Sequence, residues 1–153
     1  MRAIDELRAV LSAQSLAVVA TDAEGCPYTS LVAFAVSDDL RRITFVTSRA
    51  TTKFRNLSAN PRVAMLIDSR THSVEDFSTG TAVTAIGQAA EVPRDEAERA
   101  VAGFLRKHPH LESFVRSPST AICAVDVATY IVVTRFQHVV ELDVTQWPSS
   151  SSP

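Results

Sequence analysis

Apolar positions in this chain repeat with two periods, and the switches between them mark its elements. Ile4, Leu7, Val10 and Leu11 recur at helical spacing and predict a short amphipathic helix at the start. Residues 16–21 then read as a buried strand. Asp22-Ala23-Glu24-Gly25 is a turn, with Gly25 free to take positive φ, and residues 27–36 form a second strand. Ser37-Asp38-Asp39 turns the chain again. Residues 42–47, rich in β-branched and aromatic side chains, make a third strand. Residues 51–59 have helix character, capped by Thr51 or a neighbour and stopped by Asn60-Pro61.

The second half repeats this alternation. Residues 62–67 read as a fourth strand, residues 68–79 as a polar, irregular loop, and residues 82–91 as a fifth strand in which Gly87 marks a bulge or barrel bend. Pro93 opens a helix through about residue 107, with Val101, Phe104 and Leu105 on its buried face. Residues 110–116 add one or two helical turns, and residues 121–134 and 138–143 finish as two strands. Strands this closely spaced pair as an antiparallel meander rather than as βαβ units. The expected fold is mainly β with flanking helices: a six- or seven-stranded antiparallel split β-barrel, which buries strands and removes their edges. Residues 1–147 form its single domain, and the Ser/Pro-rich residues 148–153 are expected to be a disordered tail.

Composition narrows the partners. The chain has 153 residues, 46% hydrophobic and 21% charged, enough for one compact core. Fifteen Lys and Arg against 17 Asp and Glu leave a formal charge of -2, which disfavours nucleic acid as the main partner but permits a local anion pocket. The N-terminus lacks a signal-like apolar core and no apolar run is long enough to span a bilayer, so a cytoplasmic protein without membrane contact is expected. Cys26 and Cys123 show no metal spacing and no disulfide framework; both read as free thiols.

The chemically informative stretch is Thr47-Ser48-Arg49-Ala50-Thr51-Thr52-Lys53. A strand ends, a hydroxyl-rich loop follows, and a helix begins. Free N–H groups at a helix start attract anions. Thr47, Ser48, Thr51 and Thr52 each carry a hydroxyl donor, and Arg49 and Lys53 supply positive charge. Local chemistry alone fits a phosphate or carboxylate pocket and, more commonly, a capped surface helix with two solvated cations.

The longer run Phe45-Val46-Thr47-Ser48-Arg49-x-Thr51-x-Lys53-x-x-Asn56-Leu57-x-x-Asn60-Pro61-Arg62-Val63 resembles the signature of the pyridoxamine 5'-phosphate oxidase-like, FMN-binding split-barrel family. So do Thr21-Asp22-x-x-Gly25-x-Pro27-Tyr28-x-Ser30-Leu31-Val32, the strand Ala82-Val83-Thr84-Ala85-Ile86-Gly87-Gln88-Ala89, and the closing segment from Tyr130 to Val139. That last segment looks nearer to the branch containing haem-utilisation proteins. The resemblance implies a homodimer with FMN in a cleft between the barrels, serving a small-molecule substrate or electron donor as an oxidoreductase. By position, Thr47, Thr51 and Thr52 match the phosphate-binding hydroxyls and Lys53 the phosphate-binding lysine. Ser48 and Arg49 lie in the same loop, and Ser30 matches the segment beside the flavin ring. Haem, or a deazaflavin such as F420, is the alternative ligand, and a non-catalytic flavin-binding module is the alternative role.

The chain also departs from the oxidase. Where that enzyme has an arginine and, five residues on, a lysine in the second strand, this sequence has Thr29 and Phe34; its arginine at position 52 is Thr52 here. The segment that holds the substrate's phosphate is missing too. No side chain stands out as a general acid or base, so the catalytic residues stay unknown. His108-Pro109-His110 reads as a helix-end loop rather than a metal pair, and no metal site is expected. His138 reads as a strand-surface residue, with a haem or flavin contact as the alternative, and Trp147 either shields a ligand or partner or docks loosely.

Overall fold

The computed structural model describes residues 2–135 and 137–149. Phe136 and four of the six expected tail residues lie outside that set. Helix α1 (Ala3–Ala13) leads into strands β1 (Leu16–Ala23), β2 (Cys26–Val36) and β3 (Arg42–Ser48). Then come α2 (Thr52–Ala59), β4 (Arg62–Asp68), the short α3 (Asp76–Thr79) and β5 (Ala82–Glu91). Helix α4 (Arg94–Lys107), a 3-10 turn at Pro109–Leu111 and α5 (Glu112–Val115) precede β6 (Thr120–Thr134) and β7 (His138–Asp143).

The strands hydrogen-bond in the order β3-β2-β1-β4-β5-β6-β7, and β3 also pairs with β6. Six strands therefore close into an antiparallel barrel, with β7 added outside the ring. The 15-residue β6 serves two partners along one edge: Thr120 to Asp126 pair with β3, and Thr129 to Thr134 pair with β7.

Local sequence explains the joints. Glu24 and Gly25 both take positive φ in the two-residue β1–β2 turn, and the Asp22 carboxylate accepts the Gly25 N–H at 3.1 Å. Gly87 sits at a register shift between β5 and β6, where a Cβ would fall on the Asp126 carbonyl. The expected loop at 68–79 is only partly irregular. Asp76 accepts the amide hydrogens of Thr71 and His72, each at 2.8 Å, and this folds the segment back far enough for one helical turn.

Inward positions alternate with outward ones, so Val19, Phe34, Phe45, Met65, Ile67, Val83, Val125 and Tyr130 fill the barrel. Each such side chain contributes roughly 1.5–3 kcal/mol of burial. Leu7 and Leu11 of α1 join this core. A second cluster packs Val101 and Phe104 of α4 on Val46, Ile122 and Ala124, the outer faces of β3 and β6.

The end of α4 is pinned by polar contacts. Lys107 Nζ donates to the Leu11 carbonyl at 3.0 Å and lies 3.9 Å from the Phe34 ring centre. Burial pushes its pKa down to about 8. His108 is buried, with Nε2 at 2.7 Å from the Phe34 carbonyl. The helix-end loop thus carries a core histidine. Its signal was the spacing Val101, Phe104, His108, which continues the buried face of α4.

Candidate functional site

β2 and β3 pair only through Phe34–Phe45, Ala35–Thr44 and Val36–Ile43. Beyond these pairs β2 follows β1 and β3 follows β6, so the two strands part. The predicted anion stretch lies where β3 ends beside this split. Helix α2 packs there, contacting β1, β2 and β5.

Along β3 the inward positions are Ile43, Phe45 and Thr47, so an apolar column ends in a hydroxyl. Thr47 is buried, at 2% exposure. Its Oγ1 lies 3.0 Å from Thr51 Oγ1 and accepts a 3.0 Å hydrogen bond from Lys53 Nζ. Thr51 is the cap of α2: its Oγ1 accepts from Phe54 N–H at 3.3 Å and donates to the Ser48 carbonyl at 2.9 Å. Ser48 Oγ accepts from Ala50 N–H at 3.2 Å. Thr47, Ser48, Thr51 and Lys53 are thereby drawn into one knot.

Lys53 is half-buried, and no carboxylate among the described residues lies within 4.0 Å of it. Desolvation holds its ammonium below the usual lysine value, partly offset by the Cys123 thiol. A half-desolvated cation with only hydroxyl neighbours favours an incoming anion.

The remaining predicted residues divide. Ser30 lies on β2 opposite Val19, beyond the point where β2 leaves β3. Its Oγ is buried without a hydrogen-bond partner. Such an atom costs free energy until a partner arrives. Thr52 opens α2 and its hydroxyl accepts from Arg55 Nη2 at 3.3 Å. Arg49 forms an ion pair with Glu91 at the end of β5, and its guanidinium lies 5.8 Å from the Phe54 ring centre.

Four further residues support this corner. Asn56 Nδ2 donates to Thr21 Oγ1 at 3.1 Å, both buried, which ties α2 to β1. Asn56 stands three residues after Lys53 on the same helix, a spacing that could have marked it. Cys123 lies opposite both Phe45 and Glu91. Burial pushes its thiol up to about 12, so it is inert. Glu91, 42 residues from Arg49, left no local signal.

The corner therefore offers a lysine, a cluster of hydroxyls and a helix start, and β2 carries one orphaned serine. Those donors are of the kind that holds a phosphate or another small anion. Trp147 is elsewhere: it stacks on Tyr130, whose hydroxyl bonds the Leu40 carbonyl before β3 begins. A cavity of about 820 Å³ also lies apart, between α4 and the β2–β3 hairpin, with Arg42 paired to Asp126 and Glu96 on its rim. Among the described residues no three His, Cys, Asp or Glu side chains converge as a metal would need, and no helix is long and apolar enough to cross a membrane.

Comparison with known proteins adds a family match and a set of shared folds. The family model described as pyridoxamine 5'-phosphate oxidase matches residues 3–134. No curated protein matches the sequence. Among solved structures, a haem-binding protein from Mycobacterium smegmatis is 19% identical with a TM-score of 0.83; 95% of this chain is covered, but only 59% of that one. The haem storage protein HutZ from Vibrio cholerae is 18% identical with a TM-score of 0.71, covering 88% of this chain and 96% of that one. An FAD-binding protein from Mesorhizobium loti is 19% identical with a TM-score of 0.69, covering 86% and 92%. At such identities the likeness is one of fold.

Proposed function

The chain belongs to the pyridoxamine 5'-phosphate oxidase family, and on that premise we propose that it binds FMN at the Thr47–Lys53 corner and serves as a flavin-dependent oxidoreductase. The observation that carries this reading is the knot of Lys53 Nζ, Thr47 Oγ1 and Thr51 Oγ1, three polar atoms spent on one another at the end of β3, beyond its last pair with β2. Lys53 would supply charge to the phosphate, and Thr47, Ser48, Thr51 and Thr52 hydroxyl hydrogen bonds. Ser30, orphaned on β2, would meet the part of the flavin that runs along that strand.

The flavin, when bound, supplies hydride or electron transfer. The chain's own contribution is binding, orientation and exclusion of water. The namesake reaction fits poorly. A second phosphate must be desolvated beside the first, and the oxidase's arginine and lysine in the second strand are Thr29 and Phe34 here. Phe34 is moreover fully buried in the core. The substrate is thus a small molecule other than pyridoxamine phosphate.

A homodimer is part of the same reading. Leu31, Val18 and Leu66 stand side by side on β2, β1 and β4, and Leu31 is 62% exposed. Ile86 extends the stripe through Ala64 and Ala20. An outward apolar stripe across adjacent strands suits a second copy of the chain.

Haem is the second reading, favoured by the haem proteins that share the fold. The absorbance spectrum of the purified protein, followed by titration with FMN, riboflavin, F420 and haemin, separates the readings. Flavin bands, or FMN uptake tighter than riboflavin uptake, support the first. A Soret band with no flavin uptake supports the second. FMN binding without turnover of NAD(P)H and a panel of acceptors reduces the function to a flavin-binding module. A colourless protein that takes up no FMN overturns the proposal.

A further inference from the structure

Arg49 is placed by sequence among the phosphate ligands, yet its guanidinium is held by Glu91. Glu91 ends β5 opposite Cys123 of β6, and Cys123 lies opposite Phe45 of β3, two residues before Thr47. Glu91, Arg49 and Lys53 all act electrostatically on the Cys123 thiol, whose strand pairs with both β3 and β5 at this position. Two cations and one carboxylate leave a single net positive charge there.

We propose that Glu91 sets the charge preference of this corner: while it holds Arg49, an anion meets Lys53 alone, and a phosphate monoester dianion gains its second cation only by drawing Arg49 from Glu91. The inference rests on the FMN reading above and adds a specificity residue to it. The pair is built to exchange. Its side chains are 46% and 39% exposed, so solvent screening keeps the ion pair weak and its opening inexpensive. Phe54, packed against the core from α2, keeps the guanidinium over the helix that carries Lys53. The arginine fork also suits two phosphate oxygens better than the one bond it makes to Glu91. A carboxylate beside a phosphate repels it, so removing that charge should favour the dianion selectively.

The test is flavin-fluorescence titration of the full chain and its Glu91→Gln, Arg49→Gln and double variants. FMN, riboflavin and competing inorganic phosphate are the probes. Glu91→Gln should tighten FMN and phosphate about tenfold and change riboflavin by less than about twofold. Arg49→Gln alone should weaken FMN only slightly, and in the double variant the gain should vanish. Thermal melting of the ligand-free variants checks that each folds as the parent does. An unchanged ratio of FMN to riboflavin affinity in Glu91→Gln, or a gain that survives without Arg49, overturns this proposal while leaving the FMN reading intact. Failure of both parent and Glu91→Gln to prefer FMN over riboflavin overturns both.

Discussion

Lys53 Nζ donates to Thr47 Oγ1 at 3.0 Å, which joins the second residue of α2 to the last inward residue of β3. The contact spans six residues and crosses a strand–helix junction. It spends a cation on a neutral hydroxyl, an arrangement that an anion improves.

Lys53→Ala should therefore weaken FMN by about ten- to a hundredfold, the range of a charge-assisted hydrogen bond, and riboflavin by far less. Parallel fluorescence titrations measure both. Equal losses would contradict the phosphate assignment. The ligand-free variant should melt no lower than the parent, because it loses a desolvated charge.

Gly87→Ala should destabilise the fold by about 2–4 kcal/mol. The added Cβ meets the Asp126 carbonyl, a backbone atom fixed by pairing to both neighbouring strands. Chemical denaturation reads the effect. A neutral result would mean that the β5–β6 bulge can shift.

In the native state one thiol should react with a disulfide reagent, and two should react in denaturant. Cys26 is exposed at the start of β2, whereas Cys123 is buried and burial pushes its thiol up to about 12. Cys26→Ser should abolish the native reaction. A native count of two would show that β6 opens at the site.

The stability difference between the parent and Lys107→Met should change between about pH 8 and 10.5. The folded lysine releases its proton near 8 and the unfolded one near its ordinary value. In that window the unfolded chain binds the extra proton, so this group favours the fold more as pH rises. Below pH 8 its contribution is constant. Solvent screening limits the change to about 1 kcal/mol. A pH-independent difference in denaturation midpoint would show that the Leu11 carbonyl and the Phe34 ring compensate the burial.

Much of this architecture was legible in the sequence because the signals were local. Alternation placed the strands within one or two residues, and Glu24-Gly25, Asn60-Pro61 and Pro93 punctuated them. Gly87 announced its bulge, and Thr51 its cap. The helical turn within 68–79 has no local signal, because it depends on Asp76 gathering amides that precede it. Closure of β3 on β6 left no trace, since residues such as Phe45 and Cys123 meet only after folding. In the candidate site, Thr47, Thr51 and Lys53 lie within seven positions and read together. Glu91 and Thr21 reach the same corner from distant strands, and no pattern in the stretch itself could summon them.

The two-sided role of β6 also bears on how the chain is made. Until residues 120–134 leave the ribosome, β3 lacks the partner for all seven of its residues and β5 lacks its outer neighbour. The nascent chain must carry two open edges, one on each side of the future seam, through the synthesis of α4 and α5. Barrel closure is then a late step that joins residues about 80 apart, and late, non-local joining is slow. Interrupted synthesis short of β6 would leave those edges free to pair with other chains, so aggregation of truncated products is the characteristic hazard of this topology.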